Sequence, residues 1–177
     1  MRTFPPRISS GRGGFTFVEV MVALAILTLM TLFVLPAFQN LLQGQREREI
    51  GRLASVIRLV RHEAILTRTP YRLTFNLDEG SYAVGKRNEA GEFAAVADVR
   101  ALAPHQLPDE LRLQDVMLYG NVNNRLTNQE VPIAFDPSGF MDPFLLHFQD
   151  GGEDWTFRVS FMGRSDALEG YSDEPLR

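Results

Sequence analysis

The chain contains no cysteine among its 177 residues. Disulfide bonds, thiol chemistry and cysteine-based metal sites are therefore excluded, so an exported domain of this composition has to be stabilised by packing. Histidine is scarce as well, and His62, His105 and His147 stand apart without a metal-ligand spacing. We predict no metal centre, no cofactor and no enzymatic activity.

An excess of positive charge is also absent, since the formal net charge is −4. A net-negative chain lacks the electrostatic footprint of a nucleic-acid-binding protein, so we exclude nucleic acid as a partner. The charges are unevenly spread: residues 37–72 hold seven Arg against three Glu, and residues 136–177 hold nine acids against three Arg. Head-to-tail attraction between subunits and ordinary solvated surface charge both explain this pattern.

Charge is missing altogether from a 19-residue apolar run, Val20 to Phe38. At a rise of ~1.5 Å per residue, a helix of this length spans about 28 Å, close to the hydrocarbon thickness of a bilayer. Arg2, Arg7 and Arg12 precede it without an acidic residue, which predicts a cytoplasmic amino terminus and an exported remainder. A cleaved signal peptide is the alternative, but its apolar region is usually shorter, ~7–15 residues.

The helical period continues beyond Pro36, so we expect this proline to kink the helix near the membrane boundary rather than to end it. Apolar residues three and four apart predict an amphipathic helix that packs on a sheet: Ile50, Leu53, Ile57, Val60 and Ala64. The helix should end near Thr67, because Thr69 precedes Pro70 and is biased out of the helical region.

Strand patterns follow the helix. Alternating or β-branched segments separated by turn residues predict strands at 71–75, 82–84, 111–118, 133–135, 144–148 and 155–161. In the last of these Trp155, Phe157, Val159 and Phe161 are expected to share one face, in the core. The tail from Gly163 is polar, and we expect it to be loose at its end. The fold class is therefore α+β, a long amino-terminal helix packed on an antiparallel β-sheet.

A calcium site at the turn between the last two strands is a weak alternative to a solvated hairpin. Asp150, Glu153 and Asp154 offer carboxylate oxygens there, but the EF-hand pattern is missing.

Glu19 stands at the entrance of the apolar run. An acidic residue at the centre of a membrane helix costs roughly 2.5–3.5 kcal/mol, and less near an end, so this carboxylate is expected to have a function. A new amino terminus at Phe15, four residues earlier, would be a natural counter-ion. If the amine of one chain met the carboxylate of a neighbour, the pair would set the register of helices in a bundle.

The segment Gly14-Phe15-Thr16-Phe17-Val18-Glu19, followed by the apolar helix, resembles the type IV prepilin signal of type IV pilins and type II secretion pseudopilins. The resemblance implies cleavage between Gly14 and Phe15 by a prepilin peptidase, followed by N-methylation of Phe15. It also implies that Glu19 acts in assembly and that Pro36 is the usual kink position. The implied fold is a long helix leaning on an antiparallel sheet.

A looser similarity covers most of the chain. It is to the H-type minor pseudopilins and their FimT-like relatives, and it rests on the segments 61–68, 107–111 and 135–139. In that family the H-type subunit lies near the tip of the filament. The implied partners are the other pseudopilins, the prepilin peptidase and the inner-membrane assembly platform.

We therefore interpret the chain as a minor pseudopilin of a type II secretion system. Its predicted parts are a basic leader (1–14), a transmembrane or filament-core helix (15–38), an amphipathic continuation (39–68) and a periplasmic β-rich domain (69–177). The precursor would sit in the inner membrane as a single-pass protein. Two alternatives stay open, a minor pilin of a type IV or DNA-uptake pilus and a membrane-anchored periplasmic binding module that does not polymerise.

Overall fold

The computed structural model describes residues 16–96, 99–119, 124–127 and 130–176, without the side chains of 32–43. Gly14, Phe15 and the side chain of Pro36 therefore lie outside the described residues. The chain divides into two units, Met1–Leu41 and Leu42–Arg177.

Helix α1 runs from Phe17 to Thr67. Its end at Thr67 agrees with the prediction made from Pro70. The next residue, Arg68, has a positive φ of 50°, a conformation that cannot continue a right-handed helix. The Thr69 hydroxyl donates to the carbonyl oxygen of Thr67 at 3.0 Å, which satisfies one of the free carbonyls at the helix end.

Ten strands follow among the described residues. They are β1 (Tyr71–Asn76), β2 (Ser81–Arg87), β3 (Phe93–Ala95), β4 (His105–Gln106), β5 (Leu111–Leu118), β6 (Asn124–Leu126), β7 (Glu130–Phe135), β8 (Phe144–Asp150), β9 (Glu153–Val159) and β10 (Ser165–Glu169). A short 3₁₀ helix, Arg100–Leu102, lies between β3 and β4. The structure confirms the six predicted strands, with bounds that differ by a few residues, and adds β3, β4, β6 and β10.

The strands form two antiparallel sheets. The first has the order β3-β2-β1-β7, with β4 also paired to β2, and the second has the order β10-β9-β8-β5-β6. The hairpins β1–β2 and β8–β9 join strands that were predicted from the sequence. In the second sheet the register of β5 against β8 shifts between Leu113 and Asp115, so a bulge lies immediately before Asp115.

The core of the unit Leu42–Arg177 combines one face of α1 with both sheets. The predicted helical face is confirmed: Leu53, Ile57, Val60 and Ala64 are buried, and Ile50 packs against them half-buried. Side chains that meet this face come from the first sheet (Leu73, Phe75, Ile133) and the second (Phe144, Leu146, Phe157). Each such side chain contributes roughly 1.5–3 kcal/mol through its burial, so packing holds this cysteine-free unit together.

One expectation about the carboxy-terminal part is wrong. Phe161 does not belong to the core, since β9 ends at Val159 and the Phe161 ring is 54% exposed. The structure also adds an ordered first part of the tail, because β10 pairs with β9 along its whole length and Ser172 is hydrogen-bonded to the second sheet. As a result both faces of β8 are buried, and His147 is fully covered.

Candidate assembly site

Thr16 and Glu19 form the start of α1. The backbone N–H of Glu19 donates to the Thr16 hydroxyl oxygen at 3.2 Å. Thr16 is therefore the N-cap and Glu19 the third helical residue, the spacing of a capping box. A carboxylate in the first turn also interacts favourably with the positive end of the helix dipole. The spacing Thr-x-x-Glu in the sequence is the signal for this capping role, which is separate from the expected role of Glu19 as a counter-ion.

The first turns of α1 expose apolar side chains in every direction. All described side chains from Thr16 to Thr31 are exposed, with Phe17 at 80%. The two hydroxyls in this stretch are satisfied within the helix, because Thr28 donates to the carbonyl of Leu24 and Thr31 to that of Leu27, both at 2.8 Å. A helix with an apolar surface and internally bonded hydroxyls is suited to an apolar environment.

No helix in the described part of the chain is long and apolar enough to count as a membrane span. The predicted segment 15–38 extends over residues whose side chains lie outside the described ones. The membrane span and the kink at Pro36 therefore stay predictions.

A buried ion pair fixes α1 to the second sheet. Arg46 Nη1 lies 2.9 Å from Asp150 Oδ2, with side chains only 11% and 6% exposed. The guanidinium also lies 3.7 Å from the centre of the Trp155 ring, a cation–π contact. One arginine of the basic segment is thus neutralised by an acid of the carboxy-terminal segment within the same subunit, and this pair is not available for attraction between subunits.

The same pair bears on the calcium alternative. Asp150 accepts from Arg46, and Asp154 accepts from the Gln114 side-chain amide at 2.9 Å. A guanidinium already holding Asp150 disfavours a cation at that carboxylate. Among the residues that the structure describes, no group of three or more His, Asp or Glu is arranged to hold a metal ion.

The three histidines have different environments. His62 is exposed on α1. His105 Nε2 lies 2.7 Å from Glu49 Oε2, and its ring packs against Tyr82 with centroids 5.3 Å apart, so it joins β4 to α1. His147, on β8, is completely buried.

His147 belongs to a buried polar cluster under the carboxy-terminal segment. Its Nδ1 lies 2.7 Å from Asp115 Oδ1, and its Nε2 lies 3.0 Å from the carbonyl oxygen of Ser172. The Tyr171 ring stacks on the imidazole at 3.9 Å, and the Tyr171 hydroxyl donates to Asp115 Oδ2 at 2.9 Å. Burial, together with the hydrogen bond to Asp115, raises the pKa of Tyr171 to about 12. Ser172 contributes only its backbone, so the cluster contains no activated nucleophile.

No pattern in the sequence indicates this cluster around His147. Its partners Asp115 and Ser172 are 32 and 25 residues away, and no spacing signal links them. The cluster fastens the tail to β5 and β8, and the Thr156 hydroxyl adds to this by donating to the carbonyl of Gly170 at 2.7 Å.

Two family models match the chain. Residues 49–163, more than half of the chain, match the model described as "Type II transport protein GspH". Residues 9–35 match the "Prokaryotic N-terminal methylation motif", which places the predicted cut and Glu19 inside that motif. No curated protein matches the chain.

Two solved structures have a similar fold. Both are of the minor pseudopilin EpsH from the type 2 secretion system of Vibrio cholerae. One is 18% identical with a TM-score of 0.59, covering 73% of this chain and 98% of that one. The other is 16% identical with a TM-score of 0.56, covering 71% and 97%. The helix packed on antiparallel sheets is therefore a pilin-like fold.

Proposed function

The chain belongs to the GspH family of type II transport proteins, and from that membership we propose that it is a minor pseudopilin of a type II secretion pseudopilus. The match over residues 49–163 carries this proposal, since it covers α1 from Glu49 onward and most of both sheets. The subunit would assemble near the tip of the pseudopilus and support protein export across the outer membrane. Its role is structural, and we assign it no catalytic activity.

We propose that the precursor is processed between Gly14 and Phe15. The methylation motif at residues 9–35 supports this, because it contains both residues. A prepilin peptidase would remove the basic leader 1–14 and leave Phe15 as the new, N-methylated terminus. Arg2, Arg7 and Arg12 would keep the leader on the cytoplasmic side until then.

Glu19 is proposed to act in assembly. Its carboxylate is exposed at the first turn of α1, on a surface that is otherwise apolar. Once this turn is surrounded by neighbouring helices, an ionised carboxylate without a partner would be strongly unfavourable. The amino terminus of Phe15 in an adjacent subunit would provide the opposite charge. The N-cap bond to Thr16 uses the backbone of Glu19 and leaves its side chain available for that pair.

The proposed topology follows from these parts. Residues 15–38 would lie in the inner membrane and later in the filament core, with Pro36 at the kink. Residues 39–68 would continue the helix into the globular domain, and 69–177 would be periplasmic. The partners would be other pseudopilins, the prepilin peptidase and the inner-membrane assembly platform.

The proposal is tested by affinity purification of the tagged full-length chain from membranes, together with the mass of its amino terminus. A secretion pseudopilin should begin at methyl-Phe15 and copurify with the other pseudopilins encoded beside it. Deletion of the gene should abolish export of the secreted proteins while leaving surface pili intact. An intact leader would indicate a non-polymerising anchored module, and loss of pili or DNA uptake would indicate a minor pilin.

A further inference from the structure

Four exposed apolar side chains meet at one place on the globular unit. Ile65, Phe140, Phe161 and Met162 are 41%, 52%, 54% and 45% exposed, and we call them the apolar patch. The Phe140 and Phe161 rings are stacked, with centroids 6.0 Å apart and an interplanar angle of 24°. The two rings therefore present one continuous surface to solvent.

The patch is preformed by close backbone contacts. The Met141 N–H donates to the carbonyl of Phe161 at 3.1 Å, which joins the loop before β8 to the turn after β9. Gly139 has a φ of 89°, and a Cβ there would lie 2.8 Å from Ile65 Cδ1. The positive φ favours glycine at this turn, and the Ile65 side chain occupies the space that a Cβ would need.

The clustering is unusual for this unit. Among its described residues six large apolar side chains are exposed, and four of them form the patch. A fifth, Leu66, follows Ile65 directly in α1, and the sixth, Tyr171, stacks on His147. Scattered exposed apolar residues need no explanation, whereas a cluster of this kind marks an interaction surface.

Three arginine side chains border the patch. Arg58 and Arg61 precede Ile65 by seven and four residues on the same face of α1, and Arg164 lies in the turn beside Met162. Arg61 Nε donates to the carbonyl of Gly139 at 2.7 Å. In the described part of the chain none of these three arginines forms an ion pair.

Two carboxylates also lie in the loop that carries Phe140. Asp136 accepts from the backbone N–H of Ser138 at 2.8 Å, and Asp142 accepts from that of Ala134, in β7, at 3.1 Å. These bonds do not remove the negative charges, but the three arginines outnumber the two carboxylates, so the border of the patch has a net positive charge.

We propose that the apolar patch is the docking surface for a different pseudopilus subunit, one that inserts an apolar side chain flanked by carboxylates. The inference rests on the proposed function. An aromatic surface bordered by unpaired arginines is complementary to an acidic protein partner. A symmetric contact between two copies of this chain would instead bring the arginines of both copies together, and their repulsion would oppose it.

The test is site-specific photocrosslinking in membranes of cells that make all the secretion subunits. A photoreactive phenylalanine replaces Phe161 in the full-length chain, and the matched control places it at Arg112, an exposed residue of β5. We expect a crosslinked product with another pseudopilin from position 161 and none from position 112. Combining Arg58→Glu with Arg164→Glu should lower the yield at position 161 about fivefold or more, while Arg112→Glu should leave it unchanged.

Several outcomes would overturn the proposal: a product containing two copies of this chain, a product with lipid, or equal yields at 161 and 112. An unchanged crosslinking yield at position 161 in the variant with Arg58→Glu and Arg164→Glu would also overturn it. Copurification of the unmodified chain with other pseudopilins is measured in parallel. If copurification holds and position 161 gives no subunit product, only the docking surface is wrong. If copurification itself fails, the proposed function is wrong.

Discussion

His147 and Asp115 are in hydrogen-bond contact beneath the carboxy-terminal segment, with Nδ1 2.7 Å from Oδ1. Because the Ser172 carbonyl can only accept, His147 Nε2, 3.0 Å away, donates to it. The histidine therefore joins β5 on one side of its ring to the tail on the other.

Replacing His147 should release that segment. His147→Phe removes both hydrogen bonds but leaves the buried Asp115 its bond from the Tyr171 hydroxyl and Arg125 at 3.8 Å, so we expect a loss of about 1–3 kcal/mol in the free energy of unfolding. Hydrogen exchange in residues 170–174 should accelerate first. Tyr171→Phe is the matched control, because it keeps the ring stack and removes only the bond to Asp115. Parental exchange rates in His147→Phe would show that the histidine does not fasten the tail.

The pair between Arg46 and Asp150 gives a second prediction. Arg46→Met leaves the Asp150 carboxylate buried without its partner and should destabilise the unit by about 3–5 kcal/mol. Adding Asp150→Leu removes the unpaired charge, so the double variant should regain most of that loss. Denaturant unfolding followed by circular dichroism measures both. A double variant as unstable as Arg46→Met alone would contradict this account.

The raised pKa of Tyr82 predicts that the protein loses stability at alkaline pH. Burial raises the pKa of Tyr82 to about 12, and the charge of Arg52 offsets part of this increase. Since the folded pKa lies above the ordinary value of 10.0, the neutral phenol stabilises the fold below pH 10. That contribution, about 2–3 kcal/mol for two pKa units, is lost as the pH rises from 10 to 12.

The corresponding variant is Tyr82→Phe, with unfolding measured at pH 7 and pH 11. Because the Tyr82 hydroxyl has no hydrogen-bond partner among the described residues, the variant should be as stable as the parent at pH 7 or slightly more so. At pH 11 it should be clearly more stable than the parent. Tyr171 still titrates, so part of the alkaline decline should persist. If the free energy of unfolding falls equally in the parent and in Tyr82→Phe between pH 7 and pH 11, Tyr82 is not the source of the alkaline loss of stability.

Glu19→Ala tests the proposed counter-ion. The variant should be cut at Phe15 as usual but should enter the pseudopilus poorly, because the neighbouring amine lacks its partner. Thr16→Ala is the control for helix capping and should cost only about 1 kcal/mol. Crosslinking between subunits and the export of secreted proteins provide the measurements. Normal incorporation of Glu19→Ala would refute the pairing.

Gly14→Val tests the position of the cut. A bulky residue directly before the scissile bond should block processing, so the mass of the purified chain should include the leader. A chain that still begins at methyl-Phe15 would contradict the assignment. Because this variant leaves residues 42–177 unchanged, its globular unit should unfold with the parental midpoint.

Local signals in the sequence predicted much of the fold. The proline at 70 fixed the helix end, and the spacing of Ile57, Val60 and Ala64 identified the buried face of α1. Alternation of apolar and polar residues predicted longer strands such as β1 and β7, in which every second residue is buried. Shorter strands such as β3, β4 and β6 carry too few residues for a period to appear, and they depend on pairing with distant segments.

The remaining errors share a physical cause. Phe161 continues the alternation of β9, but the chain turns away after Val159, so the same pattern leads to the surface. The polar tail gave no sign that it packs on the sheet, because its partners, Asp115 and His147, come from strands far away in sequence. At the amino terminus, Thr16 and Glu19 carried a readable capping signal, whereas the processing site was identified by resemblance to a known signal.

Two bonds lie near the two ends of the packed part of α1. Arg46 is held by Asp150, and Arg61 by the carbonyl of Gly139, 15 residues further along, or about 22 Å of helix. The buried face with Leu53 and Ile57 lies between them. Both bonds and the buried face would therefore resist a force that pulls α1 along its axis relative to the sheets. An element fastened in this way can transmit a push from a growing filament to the sheets without sliding against them.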